Sequence, residues 1–231
     1  MRRERHLPAG TVTTHFVKSE AIANNMLGED LTRRIDVYIP HGHDPAGLPL
    51  LVDLVGFTGG GPAHTNWKSF GESAPSRAQR LIDDGEMKPC VIAFPDCFTR
   101  LGGNQYVNSV AMGNWDDFLL QEAVPFIEQT FGCGGEGRRG VFGKSSGGYG
   151  AMVHALLHPD FWSAAACHSG DMGFDLMFAA DFAFTLRRLA KHGGNIQDFV
   201  EAFEASDKVN GDDLHAMMTL AMGATYDPDP D

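Results

Sequence analysis

The chain has 231 residues, 43% of them apolar and 21% charged, which fits one large domain with a sizeable core and excludes a disordered or fibrous protein. With 18 Lys and Arg against 30 Asp and Glu, the formal net charge is −12. That balance argues against nucleic-acid partners and anionic membrane surfaces, both of which need a positive face.

The opening stretch MRRERHLPAG is charged and no apolar run follows it, so neither a signal peptide nor a membrane span is expected, and the address is read as cytoplasmic. Residues 33–40 (RRIDVYIP) read as a strand ended by Pro40. LPLLVDLVG (48–56) and PCVIAFPDC (89–97) are short, nearly continuous apolar runs of the kind buried on both faces of a parallel sheet. Between them, PSRAQRLIDDGEM is helical up to Gly85. NWDDFLLQEAVPFIEQTFG carries Trp115, Phe118, Leu119, Val124 and Ile127 at helical spacing. Asn114 is its expected N-cap, Gly132 its stop and Pro125 a kink. RRGVFG is a strand, GGYGAMVHALLHP the helix behind it, and FWSAAACHSG a further strand. Helices follow near 181–192, 196–205 and 212–222. Strands alternating with helices imply βαβ units and a mostly parallel sheet, helices on both faces, in one α/β domain over 1–231 with no repeat or linker.

Cys90, Cys97, Cys133 and Cys167 show no CxxC spacing, so reduced, mostly buried thiols are expected. His41, His43 and Asp44 read as a polar loop rather than a metal site, and no metal is expected.

The stretch GVFGKSSGGYGAM poses a choice between two chemistries. A phosphate-binding loop needs a glycine five residues before the Gly of Gly-Lys-Ser, and Arg138 stands there, followed by the apolar strand. The other reading fits: Gly143-Lys144-Ser145-Ser146-Gly147 is GxSxG between a buried strand and a helix, a nucleophile elbow with Ser145 as nucleophile. Cβ atoms at 143 or 147 are expected to collide with the neighbouring strand or helix. Ser146 cannot take the role, because Lys144 would stand at the first glycine. The oxyanion-hole donors expected in such a site are the backbone N–H groups of Ser146 and of Phe57, with Gly59, Gly60 and Gly61 bringing that loop close to substrate.

LPLLVDLVGFTGGG, GGNQYVNS, NWDDFLLQEAVPFIE and GVFGKSSGGYGAM occur in the same order as in the Putative esterase family, which the chain resembles over roughly residues 33–170. That family includes S-formylglutathione hydrolases, enterochelin esterases, feruloyl esterases and mycolyltransferases. The resemblance implies an α/β-hydrolase fold, a Ser145 nucleophile, no metal or organic cofactor, and a small-molecule ester as substrate. It also offers Gln105, Tyr106, Asn108 and Ser109 as pocket-lining groups. Phe57, Trp67, Tyr106 and Trp115 suggest a neutral or aromatic ester.

A serine needs a histidine base and a carboxylate to orient it, in the chain order Ser, acid, His. After Ser145 stand His154, His158, His168, His192 and His215, and none sits on a loop where a triad base is expected. In the resembled family, two further strands beyond the point matching YDPDPD carry the acid and the histidine. The chain is therefore expected to lack its last strands, leaving residues 164–168 as an open edge that an oligomer of this chain could cover. An acyltransferase on the same machinery and a non-catalytic binding module are the alternative readings.

Overall fold

A computed structural model describes residues 9–228. The N-terminal residues 1–8 and the final Asp229–Asp231, on which part of the leader and C-terminal readings rest, lie outside the described residues.

The core is a six-stranded sheet. In chain order its strands are β1 (Thr11–Lys18), β2 (Thr32–Ile39), β3 (Leu50–Leu54), β4 (Val91–Pro95), β7 (Arg139–Lys144) and β8 (Ala164–His168). Across the sheet the order is β1-β2-β4-β3-β7-β8. The strands β4, β3, β7 and β8 run parallel, while β1 pairs antiparallel with β2 and β2 with β4. A small hairpin, β5 (Asn108–Ser109) with β6 (Gly113–Asn114), stands apart.

Both faces of the sheet are covered, and β4 shows how. Val91 and Ala93 join the larger cluster with Val37, Val52, Trp115 and Phe118, while Ile92 and Phe94 join Tyr38 and Ala78 on the other face. Side chains alternate at period two, so a strand covered on both faces must be apolar throughout. Helix α1 (Pro62–Thr65) and α2 (Ala74–Asp83) follow β3; α3 (Trp115–Asp117) and α4 (Val124–Phe131) precede β7; α5 (Ser146–Leu157) links β7 to β8. After β8 come α6 (Phe174–Met177), α7 (Ala179–Leu189), α8 (Ile196–Glu204) and α9 (Gly211–Tyr226). β8 closes one edge of the described sheet with most of its residues exposed.

Two sequence expectations change in detail. Asn114 makes no side-chain cap; instead Asn108 Oδ1 accepts the Asp117 N–H at 3.1 Å from the hairpin strand. Pro125 does not produce a simple kink. The preceding residues Phe118–Ala123 form a π-helical turn that joins α3 to α4. A proline cannot donate to the carbonyl four residues back and its ring crowds it, which the wider turn relieves. Gly132 ends α4 in the left-handed conformation, as expected.

The thiols are free, with Cys90, Cys97 and Cys133 buried and Cys167 half-buried. Burial raises the Cys90 thiol to about 12 and that of Cys133 to about 11. No group of His, Cys, Asp and Glu among the described residues is arranged to hold a metal ion, and no described helix is long and apolar enough to cross a membrane.

Candidate active site

Ser145 stands between the end of β7 and the start of α5 with φ 57° and ψ −122°. This is backbone space that residues with a Cβ avoid, and its cost is borne by the packing around it. Its N–H donates to His168 O at 3.0 Å, and its carbonyl accepts from Tyr149 N at 2.9 Å. A Cβ on Gly147 would lie 1.7 Å from Leu54 O, and one on Gly143 would lie 2.3 Å from Gly147 O. The collisions expected at both glycines are present. At Gly148 the obstacle is His168 O, at 2.8 Å, and at Gly150 the ring of Tyr106, at 2.6 Å. The turn is thus clamped against β3 and β8.

The hydroxyls at the turn converge on one carboxylate. Ser145 Oγ donates to Asp171 Oδ1 and Ser146 Oγ to Asp171 Oδ2, each at 3.0 Å, and Asp171 is only 3% exposed. Gln105 Nε2 donates to Ser146 Oγ at 3.0 Å and reaches Met222 Sδ at 3.0 Å. Ser146 opens α5, so its N–H is one of the four that have no intrahelical acceptor, at the positive end of the helix dipole.

Ser145 lies in the wall of a cavity of about 560 Å³. On the sheet side the cavity is lined by Gly56, Phe57, Thr58, His64 and Lys144. On the other side stand Leu214, His215 and Met218 of α9. A Cβ on Gly56 would lie 3.5 Å from Ser145 Cβ, which places the Phe57 backbone beside the serine.

Several expected contacts fall elsewhere. Gln105 and Tyr106 are buried beneath the turn rather than lining the cavity. Tyr106, at φ 61°, donates its hydroxyl to Val55 O at 2.7 Å, and burial raises the pKa of that phenol well above its usual value. Asn108 caps the Asp117 backbone and Ser109 Oγ donates to Ala224 O at 2.8 Å. Gln105 and Tyr106 thus support the turn from its inner side, while Asn108 and Ser109 hold α3 and α9. Gly60 and Gly61 approach Asp96 and Phe94 at the end of β4, with added Cβ atoms 2.3 Å from each, so they seat the loop on the sheet. Of the aromatic residues read as a substrate wall, only Phe57 lines the cavity. Trp115 is buried with Arg33 5.0 Å above its ring, and Trp67 is 72% exposed elsewhere.

The histidines after Ser145 divide. His154 and His158 face away. Trp162 Nε1 donates to His154 Nδ1 at 3.2 Å, so the other ring nitrogen carries the proton and donates to Tyr106 O at 2.9 Å. Burial, only partly opposed by Asp116, holds the pKa of His154 below the usual imidazole value. His158 Nε2 pairs with Asp116 Oδ2 at 2.9 Å. His192 meets Phe199 edge to face, with ring centroids 5.4 Å apart. His215 does reach the cavity, its Nε2 held by Asp181 Oδ2 at 2.8 Å.

Two groups escaped sequence reading. Asp171 sits in HSGD, 26 residues beyond the serine it binds, with no motif to mark it. His64 precedes Ser145 in the chain, whereas the order Ser, acid, His directs attention downstream. Its Nδ1 lies 2.6 Å from Oδ2 of Asp53, which is buried in β3.

The chain belongs to the Putative esterase family, whose model matches residues 26–174. It is 34% identical over 90 residues to Esterase Rv1288 of Mycobacterium tuberculosis, a match covering 36% of this chain and 19% of that protein. To the MPT51/MPB51 antigen of Mycobacterium bovis it is 32% identical over 129 residues, covering 54% and 38%. The chain thus spans well under half the length of these curated relatives. Among solved structures, a CE1 ferulic acid esterase from Anaeromyces mucronatus superposes with a TM-score of 0.59 at 16% identity, covering 75% of this chain and 63% of that one. Likeness at this level establishes the α/β-hydrolase fold.

Proposed function

We propose that this member of the Putative esterase family is a carboxylic ester hydrolase in which Ser145 attacks the ester carbonyl of a small molecule and carries the acyl group. The observation that carries the reading is the strained backbone of Ser145 at a strand-to-helix turn that opens on a cavity. The oxyanion formed by attack would lie between the N–H of Ser146, at the positive end of α5, and that of Phe57 on the adjoining loop. Fixed donors of this kind stabilise developing charge without reorganising. The bond from the acyl carbon to the alcohol oxygen then breaks, the serine proton leaving with the alcohol, and water adds to the acyl carbon to release the acid and restore the serine hydroxyl. With an alcohol in place of water the same steps are an acyl transfer, the second reading.

Asp171 accepts the serine hydroxyl in the resting arrangement. A carboxylate is a much weaker base than an imidazole, so Asp171 sets the orientation of the hydroxyl rather than taking its proton. A fluorophosphonate probe tests the nucleophile. Labelling is expected on the parent chain, to vanish in Ser145→Ala and to persist in Ser146→Ala. Labelling retained in Ser145→Ala would overturn the assignment.

A further inference from the structure

The pair of His64 and Asp53 is built differently from the other histidine–carboxylate pair at the cavity. Asp53 lies in the central strand β3 and is buried, and it meets Nδ1 of His64 at 2.6 Å. A carboxylate only accepts, so Nδ1 carries the hydrogen. In the neutral ring Nε2 is then the lone-pair nitrogen, and the direction of that ring is fixed by a rigid partner. Nε2 has no partner among the described residues, and the ring is partly exposed into the cavity that holds Ser145. His215, by contrast, has its Nε2 already engaged by Asp181, and its side chain is 46% exposed.

We infer that His64, aimed by Asp53, is a substrate-contacting residue whose Nε2 accepts a hydrogen bond from a hydroxyl group on the ester. This rests on the ester-hydrolase reading of the cavity. A hydroxyl fits the chemistry of this corner on both counts. It donates to the imidazole lone pair, and it accepts from Lys144, which lines the same side and forms no ion pair with any described residue. On the opposite wall, Leu214 and Met218, on either side of His215, offer apolar surface for the hydrocarbon part. The substrate class is therefore an ester whose acyl or alcohol part bears a hydroxyl, rather than a purely aromatic ester. The mean surface charge of the protein says nothing about this corner.

The test measures binding without turnover, on Ser145→Ala. Two matched pairs are titrated by NMR: 2-hydroxyethyl against ethyl benzoate places the hydroxyl on the alcohol side, and phenyl lactate against phenyl propionate on the acyl side. One pair is expected to show about tenfold tighter binding of the hydroxylated member, the worth of one neutral hydrogen bond. That ratio should fall to about one with His64→Phe added. Should His64→Phe fail to fold, the ¹⁵N signal of His64 Nε2 in the Ser145→Ala chain decides: it shifts with the hydroxylated ester and not with its partner. Equal affinities within both pairs, or a ratio that survives His64→Phe, would overturn the inference. Probe labelling of the parent chain is measured separately, so failure of the Ser145 assignment is told apart from failure here.

Discussion

On the sheet side of the cavity, a methyl group added at Gly147 would lie 1.7 Å from Leu54 O; on the helical side, one added at Gly223 in α9 would meet nothing within 4 Å. The same contrast runs through the surroundings. Leu54, Ser146, Asp171 and Tyr106 are buried, whereas α6 and α7 expose Leu176, Phe182 and Leu186. One wall holds a strained residue in place and has no slack. The other is a set of helices resting on it. Strain at a reactive residue persists only where neighbours over-determine it, so the two walls should respond to substitution very differently.

The largest effect is expected at Gly147→Ala, where backbone must move: a loss above about 4 kcal/mol or failure to fold, read by denaturant melting. Asp171→Ala should cost about 2–3 kcal/mol, because two hydroxyls lose their acceptor in a buried setting, and Asp171→Asn should recover part of it. A melting midpoint unchanged in Asp171→Ala would show that this side has more slack than its packing suggests. Beneath the turn, His154 sharpens the comparison through pH. Its pKa is lowered in the fold, so the unfolded chain takes up the proton first and stability falls as pH drops below about 6.5. Above that value both states are neutral and this contribution is flat; His154→Gln should remove the dependence in urea titrations. On the helical side, Gly223→Ala should raise stability by about 0.5–1 kcal/mol, as expected for a glycine in a helix interior. Leu186→Lys, on an exposed face of α7, should change it by less than about 0.5 kcal/mol.

How much of this was legible in the sequence follows the same division. The strands β3, β4 and β7 announced themselves because burial on both faces leaves an uninterrupted apolar run. β1, with the sequence TVTTHFVK, is paired on one side only and alternates, so no such run marks it. Ser145 was legible because its backbone demands glycines at fixed offsets, a local requirement. Asp171, His64 and Asp53 were not, since each acts through a partner brought near by the fold rather than by spacing. Gln105 and Tyr106 were placed near the serine correctly but on the wrong side of it, because a motif gives proximity and not direction. The expectation that no histidine after Ser145 is set on a loop holds for His215, which reaches the cavity from a helix.

One line of contacts joins the two walls. From Ser145 Oγ it runs through the Asp171 carboxylate to Ser146 Oγ, on to Gln105 Nε2, and ends at Met222 Sδ in α9. Met222 lies one helical turn beyond Met218, which faces the cavity. The helix that walls the cavity therefore holds the far end of a line whose near end is the serine hydroxyl. The hydroxyl and the helix that walls the cavity are thus four contacts apart.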